Sequence, residues 1–316
     1  MQKNILVFIL LIIGFILGGI QLLPLFNKIE PASPNVAKRG DFPRELHDAT
    51  GKTLIIATPP QRIVSQTLGT DEILLAISEP HRIVALSVFA QDARYSNVVE
   101  KARLIAGQTT GGAEHILSFN PDLIFMASYS KAETVELLQA AGSPVFRFTH
   151  FRRIADIKNN IKTIGYAIGE DKRAAALVAK MEKEIKAIRA NIPQNATFRV
   201  MSYSQWGYTA GSNTTFDDML LMIGAINVTA THGFSGHIKM SSEQILEWQP
   251  DFIVTGANQG KFDEVRRLLL KNPAIAASNA GKTGRIIIID NRYFPSVSQY
   301  IVYGIKMLAE KLYADV

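Results

Sequence analysis

Nine side chains suited to gripping a large ligand fall in short loops along the chain. Phe89, Arg94 and Tyr95 follow a β-prone run that ends at Ser87, and Tyr129 follows one that ends at Ala127. Trp206 and Tyr208 come after a run ending at Tyr203, His237 lies six residues before Glu243, and Arg292 and Tyr293 follow a run ending at Asp290. Aromatic rings supply apolar walls, and guanidinium forks pair with carboxylates or catecholates through two hydrogen bonds at once. The chemistry these residues suit is the binding of a bulky molecule with a flat or apolar body and acidic groups.

The patterns that would indicate other chemistry are weaker. The chain has no cysteine, which excludes a disulfide framework, a thiolate metal site and a cysteine nucleophile. Its six histidines (His47, His81, His115, His150, His232 and His237) show no His-x-x-x-His or His-x-His spacing. No metal site is assigned, although His150, His232 and His237 are left as a set that the fold could bring together. Ala276-x-x-x-x-Gly281-Lys282-Thr283 fits a relaxed phosphate loop, but the order is helix, then Gly-Lys-Thr-Gly, then strand. A phosphate loop runs from strand to helix N-terminus so that backbone amides face the phosphates. Ser235 in Gly233-Phe-Ser-Gly-His237 lacks the glycine spacing of a nucleophile elbow. No catalytic residue and no covalently bound cofactor are assigned; the competing reading is a cleft enzyme using His237, Asp251 or Arg292.

The elements that must position these loops alternate. Thr53–Ala57, Arg62–Ser65, Arg82–Ser87, Leu123–Ala127 and Val145–Phe148 read as strands, and Asp71–Ile77, Glu114–Phe119 and Ala132–Ala140 as helices. Near-continuous apolar strands between helices argue for a mainly parallel sheet covered on both faces. The middle breaks the rhythm. Ile154, Ile157, Ile161 and Ile164 mark a helix that Gly165 and Gly169 interrupt, and a second helix of about 20 residues, 171–190, starts at Asp171 as N-cap. Alternation resumes at Arg199–Tyr203 and runs through Phe216–Ile223, Phe252–Thr255, Phe262–Leu270 and Arg285–Asp290 to a last helix, Ser298–Tyr313. The expectation is an α/β protein of two similar lobes, 41–153 and 194–316, joined by a helical connection, 154–193.

Composition agrees with a folded protein of this size: 316 residues, 47% hydrophobic and 20% charged. The net charge of +6 is thin and scattered, with no run of five like charges, so a nucleic-acid partner is not expected. From Asn4 to Phe26 no charge appears, and a helix from Ile5 to Phe26 at ~1.5 Å per residue spans a bilayer core of ~30 Å. Residues 1–27 therefore read as a membrane segment, either an uncleaved anchor or a signal cut near the weak Pro31-Ala32-Ser33 site. Residues 28–40, with Pro31, Pro34 and Gly40, read as a spacer.

One stretch occurs twice. Glu114-His-Ile-Leu-Ser-Phe-Asn-Pro-Asp-Leu-Ile124 matches Glu243-Gln-Ile-Leu-Glu-Trp-Gln-Pro-Asp-Phe-Ile253 at an offset of 129, with six of eleven positions identical. Each copy is a short helix ended by proline and followed by a strand. With Asp48-Ala-Thr-Gly51, Pro60-Gln-Arg-Ile-Val-Ser65, Thr70-Asp-Glu-Ile-Leu74, the helix beginning at Asp171 and Gly224-Ala-Ile-Asn227, these copies resemble the iron-siderophore, haem and vitamin B12 binding proteins of ABC importers. The resemblance runs from Asp41 to the C-terminus. It implies two lobes bridged by one long helix, a ligand cleft between them, and small opening motions. It also implies that Glu114 and Glu243, one on each lobe, dock onto arginines of a permease dimer. The expected cargo is a ferric siderophore or related iron complex, with haem and cobalamin as alternatives, carried by a monomer in the periplasm or on the outer face of the cytoplasmic membrane. Where members of the class carry tryptophan, this chain has Gln108 and His237.

Overall fold

Five runs rich in aliphatic residues build the first sheet. They are β3 (Ile63–Ser65), β4 (Ile83–Ser87), β5 (Gly107–Thr109), β6 (Leu123–Ala127) and β7 (Val145–Phe148), in the order β5-β4-β3-β6-β7, all parallel. Every residue of Leu-Ile-Phe-Met-Ala in β6 is buried, as a strand covered on both faces requires. A hairpin of β1 (Arg44–His47) and β2 (Thr53–Ile56) precedes them. Helices α1 (Leu68–Ile77), α2 (Val99–Ala102), α3 (Ala113–Ser118) and α4 (Ala132–Ala140) make the crossovers. The computed structural model describes residues 42–314 apart from 49, 50, 195 and 295. The membrane segment 1–27 and the spacer 28–40 lie outside the described residues, among which no helix is long and apolar enough to cross a membrane.

The second sheet joins β10 (Ile226–Asn227), β8 (Arg199–Ser202), β12 (Phe252–Ala257) and β13 (Ile286–Asp290) in that order, again all parallel. Set beside β4-β3-β6-β7, this is the same order with β5 missing. The strand after the repeated proline, β6 or β12, sits next to the strand that opens the sheet, β3 or β8. A separate antiparallel ribbon of β9 (Tyr208–Ala210) and β11 (His237–Lys239) has no counterpart in the first half. Helices α7 (Thr215–Met222), α8 (Val228–Thr231), α9 (Ser242–Trp248), α10 (Phe262–Leu270), α11 (Pro273–Ala277), α12 (Asn279–Lys282) and α13 (Ile301–Leu312) complete this half.

Between the sheets run α5 (Ile154–Ile168) and α6 (Asp171–Ala190), turned back on each other by Gly169 at φ +80°. Two expectations change here. Gly165 does not interrupt α5; it lies inside the helix, where a Cβ would stand 2.3 Å from the Cβ of Ala174, so its absence lets the two helices touch. Asp171 is not the N-cap but the first helical residue, and its carboxylate pairs with the buried Arg44 of β1 at 2.7 Å. Arg82 to Glu170 and Arg173 to Glu79 fix the same end of α6 to the first half. Farther along, α6 packs on α13 of the second half. The start of α5 is held by the second half, where Ile154 N–H donates to Asp218 on α7 at 2.6 Å. One apolar cluster therefore runs from Leu74 and Phe125 through Ile161 and Met181 to Val254 and Leu308.

Candidate functional site

The repeated stretch folds the same way twice. In α3 and in α9 the glutamate, Glu114 or Glu243, is the second helical residue and exposed. Each helix ends at a residue with left-handed backbone just before the proline, Asn120 at φ +47° and Gln249 at φ +43°. Asp122 then accepts from the backbone N–H of Arg62 (2.8 Å), as Asp251 accepts from that of Arg199 (2.8 Å). The side chains of these arginines return to the last helical carbonyls, Arg62 to Phe119 and Asn120, Arg199 to Trp248 and Gln249. A cation there also complements the negative end of the helix. The Glu243 carboxyl is held below its usual range by a hydrogen bond to its own backbone N–H and then by Ser241.

At the carboxyl ends of the first sheet the structure gathers Phe89, Arg94 and Tyr95 after β4 and Tyr129 after β6. Phe89 is 53% and Tyr129 67% exposed. The Tyr129 ring packs on Phe151 at 5.8 Å, and desolvation raises its pKa against the pull of a hydrogen bond with Thr67. Below lies Asp71, fully buried. Its carboxyl accepts from the Ser87 hydroxyl and, at 3.3 Å, from the Ser87 N–H. Burial pushes its pKa up to about 8, against the pull of hydrogen bonds from Ser65 and Ser87.

The candidates of the second half are more dispersed. Arg292 and Tyr293 follow β13. Tyr208 and His237 occupy the β9–β11 ribbon, His237 opposite Ala210 and Tyr208 opposite Lys239. Trp206, 72% exposed in the turn before β9, lines a cavity of about 300 Å³ with Tyr203, Gln205, Leu268, Leu269, Asn272 and Ile275. His150 hydrogen-bonds Thr149, and His232 lies tilted against Trp248, with ring centroids 4.1 Å apart. Among the described residues no cluster of three or more metal-ligating side chains forms, so the histidine set stays apart. The Gly281-Lys282 pair sits in α12, ahead of β13, the wrong order for phosphate binding.

A seam missing from the sequence reading ties the two sets of loops together. Glu72 of α1 is buried, and its carboxylate accepts from Asn97 N–H (3.0 Å), from the Asn97 amide (2.8 Å) and from the Ser298 hydroxyl. Gln299 donates to the Glu72 carbonyl at 3.0 Å, and the Asn97 amide also donates to the Arg292 carbonyl at 2.9 Å. Gly69 lets this contact close, because a Cβ there would stand 2.8 Å from Val297 Cγ2. Burial raises the Glu72 pKa to about 6, with Ser298 and Asn97 pulling it down. The only advance signal was Thr70-Asp-Glu-Ile-Leu74, two acids at the start of an apolar helix.

These paired sheets, with aromatic loops at their carboxyl ends, can be set beside known proteins. A family model described as periplasmic binding protein matches residues 63–293. The chain belongs to the periplasmic binding protein family. Among its relatives is an uncharacterized ABC transporter substrate-binding lipoprotein, YvrC, of Bacillus subtilis, 26% identical over 284 residues and covering 87% of each chain. A cobalamin-binding protein of Halobacterium salinarum is 24% identical over 274 residues, 85% of this chain and 73% of that one. The periplasmic haem-binding protein RhuT of Roseiflexus, solved in its apo form, superposes with a TM-score of 0.70 at 26% identity, covering 80% of this chain and 98% of that one.

Proposed function

We propose that this periplasmic binding protein serves an ABC importer, holding a bulky iron chelate between the carboxyl ends of its two sheets and delivering it unchanged to a permease dimer. The observation that carries the reading is the placement of Phe89, Arg94, Tyr95 and Tyr129 after strands of one sheet and of Arg292 and Tyr293 after a strand of the other, linked through Asn97. Ligands of open α/β sheets bind beyond the carboxyl ends of the strands. The residues 41–153 and 194–316 act as lobes, and the α5–α6 pair with the Glu72 seam limits their separation to small motions. Glu114 and Glu243, at matching helix starts, are the docking points for the permease. Residues 1–27 carry the domain to the outer side of the cytoplasmic membrane, as anchor or signal.

A second cargo reading, haem or cobalamin, is favoured by the relatives that bind them. The experiment is a fluorescence titration of the protein against ferric siderophores, haemin and cyanocobalamin. An iron chelate bound 1:1 and recovered intact supports the proposal. Binding of cyanocobalamin alone, or turnover of any ligand, overturns it.

A further inference from the structure

A second internal repeat is independent of the first. Asp92-Ala-Arg-Tyr95 follows β4 and Asp290-Asn-Arg-Tyr293 ends β13, an offset of 198 rather than 129. The two segments fold alike. In each, the arginine N–H donates to its own aspartate Oδ1, at 3.0 Å for Arg94 and 2.9 Å for Arg292. In each, the guanidinium grips that carboxylate through Nε, at 2.9 and 3.0 Å, and through Nη2, at 2.6 and 2.7 Å. In each, the guanidinium carbon stands over the next tyrosine ring, 5.4 Å from its centroid for Arg94 and 5.3 Å for Arg292. Arg292 Nη2 also reaches Gln259 at 3.4 Å. The segments meet, since Asn97, two residues after Tyr95, donates to the carbonyl of Arg292.

Each unit is electrically balanced, because the aspartate cancels its arginine. What remains is the Nη1 end of a guanidinium whose plane is already fixed and a phenol hydroxyl, none of them hydrogen-bonded to a described residue. A donor locked in place loses little freedom on binding, and its hydrogen bond is strongest to an anionic oxygen that lies in line with it. We propose that the two Asp-x-Arg-Tyr units form one matched clamp for a ligand with two anionic oxygen-bearing arms, carboxylates or catecholates, one arm to each unit. This rests on the iron-chelate reading and narrows it, from any bulky chelate to a two-armed acid. The clamp spans both halves, and the Glu72 seam sets the spacing between its jaws.

The test titrates the full chain with haemin, haemin dimethyl ester, ferric enterobactin, neutral ferrichrome and cyanocobalamin. The tightest ligand should be an anionic one, with haemin bound far better than its ester if haemin is that ligand. Arg94→Ala and Arg292→Ala should each weaken it about tenfold and together about a hundredfold, ~1.4 kcal/mol per factor of ten. The neutral ligands should change less than twofold. Asp92→Asn, at a partly exposed position that leaves the core intact, should tighten the anionic ligand at low salt and make its affinity fall as salt is added, because one arginine is then uncompensated. Melting temperatures report whether each variant is folded. The clamp is overturned if a neutral ligand binds tightest, if a folded double variant keeps its affinity, or if only one arginine matters. A panel in which nothing binds overturns the iron-chelate reading itself.

Discussion

The halves of this protein share a chassis and differ at the rim. The chassis is the strand order β4-β3-β6-β7 against β10-β8-β12-β13, with the same bracket of arginine, Pro-Asp turn and helix end in each. Beyond it, the first half has an extra edge strand, β5, and the buried Asp71, whose pKa burial raises. The second has the β9–β11 ribbon and a cavity beside Trp206. What recurs in both halves supports the backbone, and the ribbon and the loops that differ flank the proposed cargo site. The Asp-x-Arg-Tyr units are the exception, a rim feature that recurs.

The largest effect expected from breaking the equivalence of the halves is on transport. Changing Glu114 and Glu243 together to Ala should abolish uptake by the reconstituted importer while leaving cargo affinity within about twofold, since both are exposed residues at helix starts outside the Asp-x-Arg-Tyr units. Normal uptake by that double variant would reduce both residues to helix-terminus charges, a minor role.

Next in size is the bracket. Arg199→Ala should lower stability in denaturant titrations by roughly 1–3 kcal/mol, through lost hydrogen bonds to the ends of α9. Arg62→Ala, whose contacts are more exposed, should cost less. Equal loss, or none, would mean that the two copies are alike in shape but not in what holds them.

The remaining contrast separates the rims by pH. The folded Asp71 keeps its proton up to about pH 8, whereas in the unfolded chain it ionises near its ordinary value of 3.8. Between those limits the folded state binds the extra proton, so stability falls as pH rises, by up to about 1.4 kcal/mol per pH unit from this group. Asp71→Asn should flatten the fall of melting temperature between pH 4 and 8. Glu72 adds a similar but narrower slope between its ordinary 4.5 and about 6. A slope unchanged by Asp71→Asn would show that the acid is ionised in the folded protein.

Long apolar runs made most of this fold legible. Leu123–Ala127, Ala132–Ala140, Val145–Phe148 and Phe262–Leu270 are found with the bounds that their periodicity predicts, and 171–190 is a single helix. Short elements without an aliphatic run of their own escaped. Gly107-Gln-Thr109 has no aliphatic residue, and β9 and β11 owe their pairing to each other rather than to a pattern within either. The loops holding Phe89, Arg94, Tyr129 and Arg292 were legible as strand ends, whereas Tyr208 and His237 prove to lie in β9 and β11, and the partners of the arginines were not legible. A sequence displays Arg94 and Arg292 as free cations, and only folding shows Asp92 and Asp290 already holding them. Glu72, Asn97 and Ser298 lie 226 residues apart at their extremes, a contact no local pattern encodes.

The absence of cysteine allows the most direct test of where cargo sits. Single cysteines placed by Ser128→Cys at the end of β6, Gln259→Cys after β12 and Lys180→Cys on the exposed face of α6 can be alkylated with and without the tightest-binding iron chelate. Cargo held between the two carboxyl edges should slow alkylation at positions 128 and 259 at least tenfold and leave position 180 unchanged. Protection on one edge alone, or at neither, would contradict a site shared by the two halves.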